Sequence, residues 1–222
     1  MYWILFISTM LASWIVSAVF NKRMEKYGRI HTPITGREVA ERMLRENGLT
    51  DVKVTCVDGR LTDHYNPTDR TVNLSKDVYE GASLAAMAVA AHECGHAVQH
   101  AVGYAPLRMR SALVPAVSFS AKWVTWIILA GLLTIKVFPQ LMLFGIGLFA
   151  LTTLFSFITL PVEINASVRA VNWMEESMLV SREDLPKASA ALRAAAYTYV
   201  VAALSSLATL LYYIAIYSGS RR

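Results

Sequence analysis

The chain has 222 residues, room for one ordinary domain or for a small domain with several membrane spans, and too few for two large domains. Hydrophobic residues make up 55% and charged residues only 17%, against roughly 45–50% and 25% in soluble domains, so surplus apolar surface has to meet lipid. The formal charge of +5 does not point to nucleic acid: no Lys/Arg stripe interleaves with aromatics, and the basic residues cluster beside apolar runs.

Residues 2–20 are almost wholly apolar and are followed by Asn21, Lys22, Arg23 and Lys26, with no charge before them. That order reads as a first transmembrane helix; a cleaved signal peptide puts its positive charge ahead of the apolar core. Further apolar stretches, at 113–135, 138–160 and 195–217, each reach the roughly 20 residues a spanning helix needs, which makes four spans, with Lys122 inside the second. The segment between the first two spans holds most of the Lys and Arg, and the segment between the last two adds Arg169, Arg182, Lys187 and Arg193. The remaining connection carries only Lys136 and the tail only Arg221 and Arg222, so the positive-inside rule places both large loops in the cytoplasm. The expected parts are span one at 1–20, a polar domain at 21–112, spans two and three at 113–160, a cytoplasmic segment at 161–194, and span four with its tail at 195–222.

Within the polar domain, Thr35-Gly36-Arg37-Glu38 has the capping-box pattern. Val39, Ala40, Met43 and Leu44 follow at helical spacing and Gly48 closes the helix. Residues 52–57 alternate and are rich in β-formers, Asp58-Gly59 is turn chemistry, and 66–69 separates two further strand-like runs, predicting a small three-stranded antiparallel sheet that ends with 70–75. From Ser83 the composition turns to Ala, Met and Val, a long buried helix reaching about Val102. Cys56 and Cys94 lack metal-type Cys-x-x-Cys spacing and are expected as two reduced thiols.

That buried helix holds His92-Glu93-Cys94-Gly95-His96. Two histidines four apart project from one helical face and can bind one zinc, and Glu93 beside them is placed to take a proton from a zinc-activated water and pass it to a leaving amine. In an apolar helix these three side chains would be costly without partners. A catalytic zinc keeps three protein ligands and an open position, so one more is needed. His100 is too far: eight residues at 1.5 Å rise put its Cα roughly 12 Å from that of His92. Glu163, at the cytoplasmic end of the third span beside Pro161, is the expected third ligand, ahead of Glu175 and Glu176, which read as a solvated helix face. Asn165 and Ser167 are the candidates to orient a liganding histidine or the carboxylate, the alternative being plain polar residues of the helix. Gly95 suits a close helix contact, and Cys94 points away from the His92/His96 face.

At these residues the chain resembles the YugP-like bacterial membrane proteins described as neutral zinc metallopeptidases. The likeness includes 61–67, 72–75, 90–99, 103–106, 160–163, 165–167, Arg169-Ala170 and 194–207. It implies a gluzincin-like site with His92, His96 and Glu163 as ligands and Glu93 as base. Ile164 stands where an aromatic residue is expected and Cys94 where a small or aliphatic one is common. Related gluzincins carry Asp four residues after the ligand glutamate, where this sequence has Ser167.

The expectation is thus an α-helical membrane protein with a small antiparallel sheet, a zincin-like active-site helix and about four transmembrane helices. It would hold one Zn2+ per chain and cleave a peptide or membrane-protein substrate at the cytoplasmic face of the cell membrane, with no nucleic-acid partner. Strand 70–75 would pair with an extended substrate, and His64 or Tyr65 would either donate to the tetrahedral oxyanion or contact substrate, or serve as a structural hairpin pair. A zinc-binding membrane scaffold or chaperone without turnover is the alternative, against which Glu93 argues, since a structural site needs no general base. A metal transporter would need ligands inside several spans, which the spans lack.

Overall fold

The computed structural model describes residues 2–220, so Arg221 and Arg222 lie outside the described residues. The chain starts with helix α1 (Tyr2–Gly28) and continues into α2 (Gly36–Glu46). The capping box forms as read: the Glu38 N–H donates to Thr35 Oγ1 at 3.3 Å and the Thr35 N–H donates to Glu38 Oε2 at 2.7 Å. Gly48 takes the left-handed conformation (φ +73°), and the Leu49 N–H reaches back to the Leu44 carbonyl at 2.9 Å, a Schellman closure that frees few residues other than glycine to stand there. Val39, Ala40, Met43 and Leu44 form the buried face.

Strands β1 (Lys53–Val57), β2 (His64–Asn66) and β3 (Thr71–Ser75) make one sheet in the order β1-β3-β2. The expectation of an all-antiparallel sheet fails at β1, which runs parallel to β3 with Val57 opposite Ser75; only β2 is antiparallel. The cause is Asp63. Its carboxylate accepts from the Ser75 N–H at 2.7 Å and from Ser75 Oγ at 3.0 Å, pinning the loop after β1 to the end of β3. The chain therefore crosses that end and returns along the far side of β3, instead of folding back on β1. In consequence β3, the strand expected to offer a free edge to substrate, is central and paired on both sides.

A short turn of helix, α3 (Lys76–Tyr79), leads to α4 (Leu84–Ala101), whose Ser83 side chain caps the start by accepting from the Ala86 N–H at 3.2 Å. Most of α4 is buried between α2, the sheet and the long helices. The core there includes Val39, Met43, Val72, Leu74, Met87, Trp173, Met174 and Leu192.

Three long helices follow: α5 (Ala105–Thr134), α6 (Pro139–Glu176) and α7 (Leu185–Ser220). Each is long and apolar enough to cross a membrane. In their most apolar windows only 22%, 22% and 6% of residues are buried, and Trp126, Leu133, Leu154 and Leu211 stand exposed, as lipid-facing side chains do. Helix α1, expected as the first span, forms with Met10 and Trp14 on its outside, but among the described residues only α5, α6 and α7 are long and apolar enough to cross a membrane. Helix α6 runs 38 residues without a break through Pro161. An interior proline costs about 3 kcal/mol, and here the packing of residues 162–174 against α4 and the surrounding core offsets it.

Candidate active site

Helices α4 and α6 approach closely because Gly95 has no side chain: a Cβ there would lie 2.6 Å from the Ala166 carbonyl oxygen. The contact brings His92 and His96 to Glu163. Glu163 Oε2 lies 3.3 Å from His92 Nε2 and 3.6 Å from His96 Nε2, and the three ligand atoms fall within 4.8 Å of one another. A tetrahedral ion with arms of about 2.0–2.1 Å needs donors about 3.4 Å apart. The two histidine–carboxylate distances match that spacing, and the donor set fits zinc in its chemistry.

Each donor is held from behind. Gln99, fully buried, accepts from His96 Nδ1 at 3.0 Å through its Oε1, and its Nε2 donates to the Val162 carbonyl at 2.8 Å and to Asn165 Oδ1 at 3.0 Å. Ser167 Oγ lies 3.1 Å from His92 Nδ1. With Nδ1 so engaged on both rings, the Nε2 atoms are the ones turned toward Glu163. Arg110 of α5 donates from Nη1 to Glu163 Oε1 at 3.1 Å, leaving Oε2 for the histidine side. Burial works against charge on His96, yet the Glu163 carboxylate, Glu93 and Gln99 together hold its imidazole above the usual range.

Glu93 is 8% exposed and faces two cavities that meet at the triad, one of about 170 Å³ and one of about 260 Å³. Tyr199 of α7 lines both, with its phenol toward Glu163 and Glu93. Tyr65 and His64 line the larger cavity with their polar atoms already engaged. His64 Nδ1 is 2.7 Å from the Thr62 carbonyl and Nε2 is 3.3 Å from Asn73 Nδ2, so the neutral ring has no N–H left to offer. The Tyr65 hydroxyl sits 2.8 Å from His100 Nδ1, which gives His100 a partner away from the triad. Cys94 is buried under α2, its thiol 3.6 Å from the Ala40 carbonyl, and burial pushes that thiol well above its usual range.

Asn165 reaches Gln99 and Arg169 and touches none of the three candidate metal donors directly. Sequence reasoning passed over Gln99, Arg110 and Tyr199. Only Gln99 carried a signal, being an uncharged amide three residues after His96 inside an apolar helix, where it must find partners.

A family model described as "Putative neutral zinc metallopeptidase" matches residues 2–218. The chain belongs to this family. Among curated proteins, the "Putative membrane protease YugP" of Bacillus subtilis (strain 168) is 42% identical over 205 residues, covering 90% of this family member and 89% of that protein. No solved structure matches it significantly.

Proposed function

We propose that the chain is a multi-pass membrane zinc endopeptidase of the cell membrane, working at the cytoplasmic surface on peptide or membrane-protein substrates. The observation that carries this reading is the triad of His92, His96 and Glu163 donors gathered within 4.8 Å of one another, with Glu93 facing the same cavities. One zinc per chain, when bound, supplies Lewis acidity that activates water and polarises the scissile carbonyl.

The remaining work falls to the chain's own side chains. Glu93 accepts the proton of the attacking water and returns it to the leaving amine, for which its place beside the histidines and its burial from bulk water both suit it. Ser167 and Gln99 keep the two Nε2 atoms presented, and Arg110 orients Glu163. The developing oxyanion needs a donor, and Tyr199 fits better than His64 or Tyr65, because it lines both cavities beside Glu163 while their polar atoms are engaged away from the triad. The distribution of Lys and Arg supports the cytoplasmic placement.

The test is zinc content together with peptide cleavage, on wild type and Glu93→Gln in nanodiscs. Cleavage by the wild type with one zinc, lost in a Glu93→Gln chain that keeps its zinc, is the expected result. Equal zinc with no cleavage by either of any peptide in a library would favour the non-enzymatic scaffold. In parallel, Tyr199→Phe should lower kcat about 10²–10³-fold with KM little changed.

A further inference from the structure

We propose that the smaller cavity receives the side chain of one large aliphatic or aromatic residue next to the scissile bond, so that the substrates are extended peptides with such a residue at that position. This deepens the peptidase reading and rests on it.

The two cavities meeting at Glu93 differ in chemistry. Both share Asp63, His92, Glu93, Glu163 and Tyr199. Beyond these, the larger is walled by polar groups including His64, Arg110 and Ser111, and it lies between β2 and α5. The smaller is walled by apolar side chains: Phe20 and Met24 from α1, Val89 from α4, and Ala191, Leu192 and Ala195 from α7. Ala191, Ala195 and Tyr199 recur every four residues, so they form one stripe down α7 that leads from the cavity to the triad. The stripe is what makes the void, because its first two members end at Cβ where a longer chain would fill the space.

At about 170 Å³ the cavity is close to the roughly 150 Å³ of an apolar cavity that takes up benzene. It has room for a leucine or phenylalanine side chain and not for a folded segment. A peptide whose carbonyl lies at the triad places the side chains flanking that bond within a few ångströms of Glu93, and the smaller cavity is the apolar space there. The polar cavity on the other side then takes the continuing backbone.

The experiment uses the full chain in nanodiscs, zinc-loaded, with a decapeptide series in which each flanking position is Leu, Phe, Trp, Ala or Gly. The wild type should prefer Leu or Phe over Ala at one flanking position by about 10–200-fold in kcat/KM. Ala195→Leu should collapse that ratio to within a few-fold, and Val89→Ala should move the optimum toward Trp. A wild type that cuts Gly- and Leu-flanked peptides alike, or variants that leave the ratio untouched, overturns the proposal while the peptidase reading stands. A second readout does not depend on turnover: a photo-leucine peptide irradiated with the Glu93→Gln chain should label Phe20, Met24 or Leu192. Labelling confined to the polar cavity or the outer surface overturns the proposal even where the wild type cleaves no peptide, and that wild-type inactivity would separately sink the peptidase reading.

Discussion

Adding one methyl group at Gly95 tests whether the α4–α6 contact sets the metal site. In Gly95→Ala the new Cβ would stand 2.6 Å from the Ala166 carbonyl oxygen and 3.1 Å from its Cα, both backbone atoms that cannot swing aside. Restoring ordinary contact at 3.4 Å requires the helices to part by about 0.8 Å along that line. Zinc–ligand distances hold to about 0.2 Å, so the separation spoils the spacing between the histidines on α4 and Glu163 on α6. Overpacking of this kind costs roughly 1–3 kcal/mol of stability, and disturbing the support of a metal site weakens affinity about 10–100-fold. Zinc affinity measured by competition with a chromophoric chelator, with thermal unfolding in the same detergent, reads both effects. Gly147→Ala is the control, since a Cβ there meets nothing within 4 Å; it should leave zinc affinity unchanged and should not lower the unfolding temperature. A Gly95→Ala protein that binds zinc as tightly as the wild type refutes the argument that this contact positions the ligands.

Gln99→Leu removes the acceptor on His96 Nδ1 and leaves the Val162 carbonyl without its side-chain donor, so zinc affinity should fall about 10–100-fold, read by the same competition assay. Glu46 accepts from Arg42 at 2.7 Å and from Trp173 Nε1 at 2.8 Å, tying α2 to α6, and Arg42 above all holds its carboxyl below the usual value near 4.5. A depressed folded value gives stability that is present above about pH 4.5 and is lost as pH falls through it. Thermal unfolding from pH 7 to pH 3 should therefore show Glu46→Gln less stable than the wild type at neutral pH and the two converging in acid. In the folded chain a maleimide should label exposed Cys56 and spare buried Cys94, with both reacting after unfolding; mass spectrometry counts the adducts.

Much of this arrangement was legible because it rests on local pattern. The capping box, the amphipathic face of α2, the apolar spans and the four-residue spacing of His92 and His96 all follow from neighbours a few residues apart. The pairing of the sheet was not legible, since it depends on Asp63 reaching Ser75, a contact between side chain and backbone that no periodicity announces. The course of α6 through Pro161 was hidden for a similar reason: the packing that carries the helix past the proline comes from α4, far away in sequence. Arg110 and Tyr199 belong to helices whose composition speaks only of lipid, so their approach to Glu163 emerges from tertiary packing alone.

His92 and Glu163 lie 71 residues apart in the chain, with all of α5 and the apolar half of α6 between them. An ion bridging them would close that long loop much as a covalent cross-link does, withdrawing conformational freedom from the unfolded chain. It would also rivet the polar half of the molecule to the half built of the three long apolar helices. On the proposed reading the donor atoms would then also be a clasp between two solvents, and a chelator would loosen the joint between them.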